Sequence, residues 1–418
     1  MTTVVIFGAR LIDGNGGAPL PDAEVRITDG LITSVGPARG PRPTDANAVD
    51  ATGTTLIPGL INMHVHLSSP LEADRIAAHM NPNQSGWAGG GDREEATLLR
   101  AALRAQLSLR WGITTLRDAG GPGRLTQKIR DAITAGLLVG PRVMSSGRII
   151  TTSAGHGWPN GIRADNAQEL RKAVRQLVEE GVDTIKIAAT GGGTRHSNPA
   201  AAQYSAEELS IAVSEAHRLG KRVLAHCNGT PGIRNAVAAG VDTLEHLGWF
   251  GADGRLDIDR EVIAQIGAKD LTVVPTLTVA YRPSQDDPTN LPLLHRQQRE
   301  IRPERTREFA AMSKMGIRFA TGTDTWDPLT RELDLMASEM GMTPLAAITA
   351  ATRSSAEGLG LQREIGTIEP GKIADLVQVS GDPTVDLRAL RSVLRVWRSG
   401  QLLVEGGQVL AADHALAP

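Results

Sequence analysis

Six side chains in this sequence are of the kinds that hold divalent cations, and they recur at similar places. His64 and His66 close the apolar run 54–63 with an i, i+2 spacing. Strand side chains two apart share a face, so both imidazoles would meet one ion. His226 follows Val223-Leu224-Ala225, His246 follows Thr243-Leu244-Glu245, and Asp324 follows Ala320-Thr321-Gly322-Thr323. Lys186 lies between Ile185 and Ile187. A lysine so flanked on a central strand cannot easily extend its amine to water, and burial lowers its pKa. A neutral amine can add carbon dioxide. The carbamate formed is anionic and has two oxygens, so it can bridge two cations. Taken singly, each residue has an ordinary role; Asp324, for one, could cap the following helix. Their meeting on one rim points to metal-assisted hydrolysis, because water on such an ion ionises at about pH 7 for zinc.

To meet, these residues must stand at the same ends of successive strands. Apolar runs of strand length begin near 56–63 and recur at 112–116, 142–150, 184–189, 222–225, 242–245, 272–277 and 318–320. Helix-like stretches separate them, as at 167–181, 206–220 and 304–316. This alternation predicts an α/β fold, a (β/α)8 TIM barrel, with function at the carboxyl ends of the strands. Short strands with turn signals also fill residues 1–58 and recur near 375–379, 393–398 and 401–404. They predict a small β-sandwich domain formed from both termini, residues 1–58 and 365–418, around a barrel of residues 59–364. The glycine-rich piece 85–91 reads as a mobile loop after the first barrel strand, and 282–303 as a long loop after the seventh.

Bulk properties narrow the class. The 418 residues are 41% apolar and carry a net charge of −2. That suits a globular enzyme and gives no field for nucleic acid or an anionic membrane. The single cysteine, Cys227, excludes an internal disulfide framework and reads as a small buried hydrophobe. With no signal peptide or membrane span in view, the expectation is a cytoplasmic protein.

The chain resembles the amidohydrolase superfamily over nearly its whole length. The resemblance rests on Pro58-Gly59-Leu60-Ile61-Asn62-Met63-His64-Val65-His66, on Lys186, His226, His246 and Asp324, and on the closing segment 366–377. Thr114-Thr115-Leu116-Arg117-Asp118-Ala119-Gly120-Gly121 and Ser153-Ala154-Gly155-His156-Gly157 liken it to the imidazolonepropionase-related branch that holds prolidase-like dipeptidases. The resemblance implies that His64, His66 and Asp324 hold one metal and that His226 and His246 hold a second. Carboxylated Lys186 and a hydroxide would bridge them. Zn²⁺ suits these ligands, without excluding Mn²⁺, Co²⁺ or Ni²⁺. It also implies a homo-oligomer. On this reading, Asp324 carries the proton from the attacking hydroxide to the leaving amine, and His156 helps polarise the carbonyl.

The expected substrate is a small-molecule amide: an N-acyl amino acid, a dipeptide, or a xenobiotic amide or carbamate. Aromatic residues are only 3% of the chain, yet Trp158, Trp249, Phe250 and Trp326 follow barrel strands, and Trp87 falls in the first loop. They read as substrate-pocket residues or as loop packing. Arg195 and His196 could bind a substrate carboxylate, whereas Arg117 and Arg148 read as structural, paired with rim carboxylates such as Asp118. Dipeptidases of the branch often carry tyrosine two residues after the strand-5 histidine; here Asn228 stands there as the candidate substrate contact. Deaminases usually carry glutamate one position further on, and this chain has Gly229. Lactone or phosphotriester hydrolysis on the same site, a deaminase, and a non-catalytic scaffold are the rival readings.

Overall fold

The computed structural model describes residues 3–40, 47–69, 94–280 and 293–411. The expected loop at 85–91, with Trp87, lies outside them, as does residue range 281–292 of the second expected loop. Among the described residues the strands form three sheets. Three parallel strands, β6 (Leu60–Val65), β7 (Ile113–Asp118) and β8 (Arg142–Ser145), make the first. The second is a seven-stranded parallel sheet. Its order is β10 (Ile162–Arg163), β9 (Ile150–Thr151), β11 (Thr184–Ala188), β12 (Arg222–Gly229), β13 (Thr243–Phe250), β14 (Thr272–Val274) and β15 (Arg318–Phe319). The α/β class with parallel strands stands, but the ladder is not one closed barrel. Isolated backbone bonds bridge the sheet edges instead, among them Asp183 N–H to Ser145 O at 2.8 Å and Met63 N–H to Thr321 O at 2.8 Å.

The third sheet is mixed and takes strands from both ends of the chain. The first five strands, β1 (Thr3–Leu11) to β5 (Thr54–Pro58), join β16 (Leu376–Ser380), β17 (Val393–Arg398), β18 (Gln401–Glu405) and β19 (Gln408–Val409). The apolar run 54–63 is therefore two strands in two sheets. Gly59 lies at the break, where a Cβ would stand 2.0 Å from Thr114 Oγ1, so no larger residue fits. The expected strand 142–150 is likewise split into β8 and β9 around Gly147, whose φ is +61°.

Helices cover the strands with their apolar stripes. Ala167–Glu179 buries Leu170, Ala173, Val174 and Leu177, and Ala206–Arg218 buries Leu209, Ala212, Val213 and Ala216. These side chains share one core with Ile185, Ile187, Val223 and Leu244 of the sheet. The Ser205–Glu208 capping box starts the second of these helices, a motif that contributes about 1 kcal/mol. The helix expected from 304 begins earlier and spans Leu293–Lys314 with Pro303 inside it. Proline normally breaks a helix. Here Arg302 is bound in bidentate fashion to Glu339 at 2.7 and 2.9 Å, and Ile301 is buried, so tertiary contacts outweigh the lost backbone bond. Among the described residues no helix is long and apolar enough to cross a membrane.

Candidate metal centre

The carboxyl ends of β6, β11, β12 and β13, with the turn after β15, converge on a cavity of about 360 Å³. His64, His66, Lys186, His226, His246 and Asp324 all line it. The i, i+2 pair behaves as strand geometry requires. The His64 and His66 rings lie 5.3 Å apart, and their Nε2 atoms stand 2.9 and 3.3 Å from the same Asp324 oxygen. The ligand atoms of these three residues lie within 4.8 Å of one another. The row of imidazoles continues from His64 to His246 at 4.9 Å, to His226 at 4.6 Å, and to a stacked His156 at 4.0 Å.

The donor set fits divalent metal. Lys186 Nζ is buried without a hydrogen-bond partner among the described residues. His64 Nε2 is buried too, near Asp324 but without the angular geometry of a hydrogen bond. Orphaned polar atoms at such depth are costly unless a ligand satisfies them. Burial, against the opposing charge of Asp324, holds His226 and His246 well below the usual histidine range and His156 down at about 3. The rings are thus neutral at pH 7, the state that binds metal. Burial also lowers Lys186 to about 8, against the charges of Glu245 and Asp324, so a fraction of the amine is neutral and able to add carbon dioxide. Burial opposes ionisation of Asp324, but its contacts with His64 and His66 outweigh that and hold it well below the carboxylate range.

Local backbone supports these positions. His246 and Asp324 are non-glycine residues with φ of +69° and +60°, conformations that persist only where the surroundings fix them. Backbone N–H groups of Thr323 and Asp324 donate to His64 O at 2.9 and 2.7 Å and fix Asp324 against β6. His66 Nδ1 meets Gly120 O at 2.6 Å, and His246 Nδ1 meets Thr276 Oγ1 at 2.7 Å. Gly192 leaves space: a Cβ there would lie 2.6 Å from His156 Nδ1 and 2.7 Å from His226 Nε2.

A second layer was not legible in the sequence. Arg117, fully buried, donates to Glu245 Oε1 at 2.7 Å, and Glu245 Oε2 accepts from His64 Nδ1 at 2.6 Å. Arg117 therefore pairs with Glu245, not with Asp118, whose carboxylate accepts backbone N–H groups of Leu67 and Gly120. Arg148 pairs with Glu180 of the helix region, not with a rim carboxylate. Burial opposes the Glu245 charge, but Arg117 and His64 more than offset it and keep the carboxylate ionised. A carboxylate on the far nitrogen fixes the tautomer of a ligating histidine. Glu245→Gln is expected to weaken metal binding at His64 by about 10–100-fold. Metal content after dialysis against graded chelator measures this, and unchanged retention would remove Glu245 from the role.

Of the expected substrate contacts, His156 and Asn228 line the cavity. His156 Nδ1 lies 3.1 Å from Thr194 Oγ1, and Asn228 Nδ2 lies 3.0 Å from His226 Nε2. The others stand elsewhere. Trp249 and Phe250 belong to β13 rather than a loop, and Trp249 is fully buried in the core between sheet and helices. Trp326 packs on Trp111 at 4.7 Å and donates to Arg104 O. Trp158 packs under the Arg163 guanidinium. Arg195 and His196 are exposed and outside the cavity lining, to which their loop contributes Gly193. Ile149, Val279, Asn160 and Gln298 line the cavity without having been singled out; no periodicity or spacing marks them. Gly229 has no room for a side chain, since a Cβ would meet Ala200 O at 2.3 Å, so the glutamate expected of a deaminase has no place in this backbone.

A model of the amidohydrolase family matches residues 55–403. Ochratoxinase of Aspergillus niger is 30% identical over 434 residues, covering 95% of this chain and 86% of that protein. Its crystal structure superimposes with a TM-score of 0.85 at 28% identity, over 100% of this chain and 99% of that one. The crystal structure of a Xaa-Pro dipeptidase with methionine bound in the active site gives a TM-score of 0.84 at 28% identity, over 97% and 100% of the two chains. Imidazolonepropionase of Symbiobacterium thermophilum is 24% identical over 425 residues, or 96% of this chain and 94% of that protein.

Proposed function

The chain belongs to the amidohydrolase family, and on that premise we propose that it is a two-metal hydrolase cleaving the amide bond of N-acyl amino acids, dipeptides or related amides and carbamates. It is an enzyme acting on carbon–nitrogen bonds. The observation that carries the two-metal reading is the buried, partnerless Lys186 amine in one cavity with His64, His66, His226, His246 and Asp324. His64, His66 and Asp324 would hold one ion, His226 and His246 the other, and carboxylated Lys186 would join them. Zinc is the proposed metal, since neutral imidazoles with carboxylate oxygens suit it. When bound, such ions supply Lewis-acid polarisation of the carbonyl and a water acidified to a pKa of about 7.

The residues of the chain do the rest. Asp324 takes the proton of the attacking water and returns it to the leaving nitrogen, so that water is divided between acid and amine products. His156, held at Nδ1 by Thr194, hydrogen-bonds the carbonyl oxygen. Asn228 contacts the substrate beside the scissile bond. Ile149 and Val279 supply the apolar lining that the tryptophans do not. The solved dipeptidase with bound methionine supports an amino-acid product. A cytoplasmic homo-oligomer remains part of the proposal.

The test is a hydrolysis screen of metal-loaded protein across N-acyl amino acids, Xaa-Pro and other dipeptides, carbamates, aryl amides, lactones and phosphotriesters. Selective release of amino acids from acyl donors supports the reading. Turnover confined to lactones or phosphotriesters, or ammonia release from aminated heterocycles, overturns it.

A further inference from the structure

We propose that Glu332, on the helix Leu329–Met340, is a positioning residue that, with Arg302, holds His246 in place by clamping the loop after β14. The inference rests on the reading above only in assigning His246 to an ion. It begins at Thr276, whose hydroxyl stands 2.7 Å from His246 Nδ1. Thr276 has a φ of +47°, a left-handed conformation in which a β-branched residue is an outlier. Such a residue stays there only if its neighbours are held.

The next two residues are held from both sides. Leu277 N–H and Thr278 N–H each donate to the Glu332 carboxylate at 2.8 Å, and the Thr278 hydroxyl donates to it at 2.6 Å. The Leu277 carbonyl accepts from Arg302 Nη1 at 2.9 Å. Arg302 is itself fixed by its two bonds to Glu339. Glu332 is fully buried, so water cannot replace what it accepts. Donor and acceptor of the same peptide segment are thereby tied to two different helices. Thr276 cannot relax to an extended conformation without breaking these bonds, and its hydroxyl stays aimed at His246. With Nδ1 donating to that hydroxyl, Nε2 of His246 keeps its lone pair for an ion. Val279, two residues beyond Leu277, lines the cavity, so the same clamp sets part of its wall.

The experiment compares full-length wild type, Glu332→Gln, Thr276→Val, the double variant and Leu335→Ala. Leu335 is a buried apolar residue of the same helix with no part in the clamp, and truncating it controls for lost stability. Co²⁺ titration followed by visible absorption reads the two ion affinities. Glu332→Gln should weaken one Co²⁺ site by about 10-fold or more and leave the other unchanged. Thr276→Val should do the same, and the double variant should be no worse than the poorer single, because both act through one contact. Leu335→Ala should lower the Tm without moving either affinity. Multiplying effects, or an equal loss in Leu335→Ala, would overturn the proposal. Nitrogen-15 spectra of the histidines give a readout independent of metal. The His246 Nδ1–H resonance should be protected in wild type and exchange-broadened in Glu332→Gln; persistence in that variant overturns the clamp. Wild type that binds no second Co²⁺, with the resonance protected in wild type and broadened in Glu332→Gln, would sink the two-metal reading and leave the clamp standing.

Discussion

Lys186→Met is expected to lower kcat/KM by at least about 10³-fold and to release one of two bound metals, while the protein stays folded. The magnitude follows from the several kcal/mol of transition-state charge stabilisation that a metal supplies, at 1.36 kcal/mol per tenfold. The folding expectation follows from the site. Lys186 is 2% exposed, and its amine has no partner among the described residues. Replacing a buried unpartnered polar group by an apolar one of similar volume is neutral or stabilising. Loss of activity with an unchanged or raised Tm therefore separates a ligand from a structural lysine. Lys186→Ala, which opens space where the amine stood, should regain part of the rate from acetate or propionate, because a small carboxylate can stand in for the carbamate. Near-wild-type turnover by Lys186→Met would remove the lysine from the centre.

Asp324→Asn is expected to lower kcat by about 10²–10⁴-fold, the usual range for a general acid–base group, with a much smaller loss of metal. The amide retains an oxygen near His64 and His66 but cannot take a proton. The loss should be greater for alkyl amides, whose leaving nitrogen must be protonated, than for activated aryl amides or esters, whose leaving groups depart without help. Rates across a leaving-group series, with metal content measured on the same samples, check this. A loss equal for every leaving group would confine Asp324 to metal binding.

What the sequence revealed of this site depended on periodicity. His64 and His66 were legible because strand side chains alternate, and the structure sets both against one Asp324 oxygen. Lys186 was legible because isoleucines flank it on a strand buried throughout. The Arg117–Glu245–His64 chain was not, because it links β7, β13 and β6, and β13 pairs with neither β6 nor β7. Trp249 lies in the core rather than in a rim loop because β13 runs on past His246, through left-handed residues that break strand alternation, to Phe250. The first part of the helix Leu293–Lys314, up to Pro303, reads as a loop in the sequence because local propensity opposes a helix there, and the Arg302–Glu339 contact that counters propensity is long-range. The clamp on the loop after β14 shares that cause: Glu332 is simply a helix glutamate until tertiary structure gives it three donors.

The centre itself is tested most directly by crystals grown from protein loaded with zinc in the presence of bicarbonate, with anomalous difference maps at the zinc edge. The account predicts two anomalous peaks per chain, one among His64, His66 and Asp324 and the other at His226 and His246, with carbamate density on Lys186 between them. A single peak beside an unmodified Lys186 would contradict it.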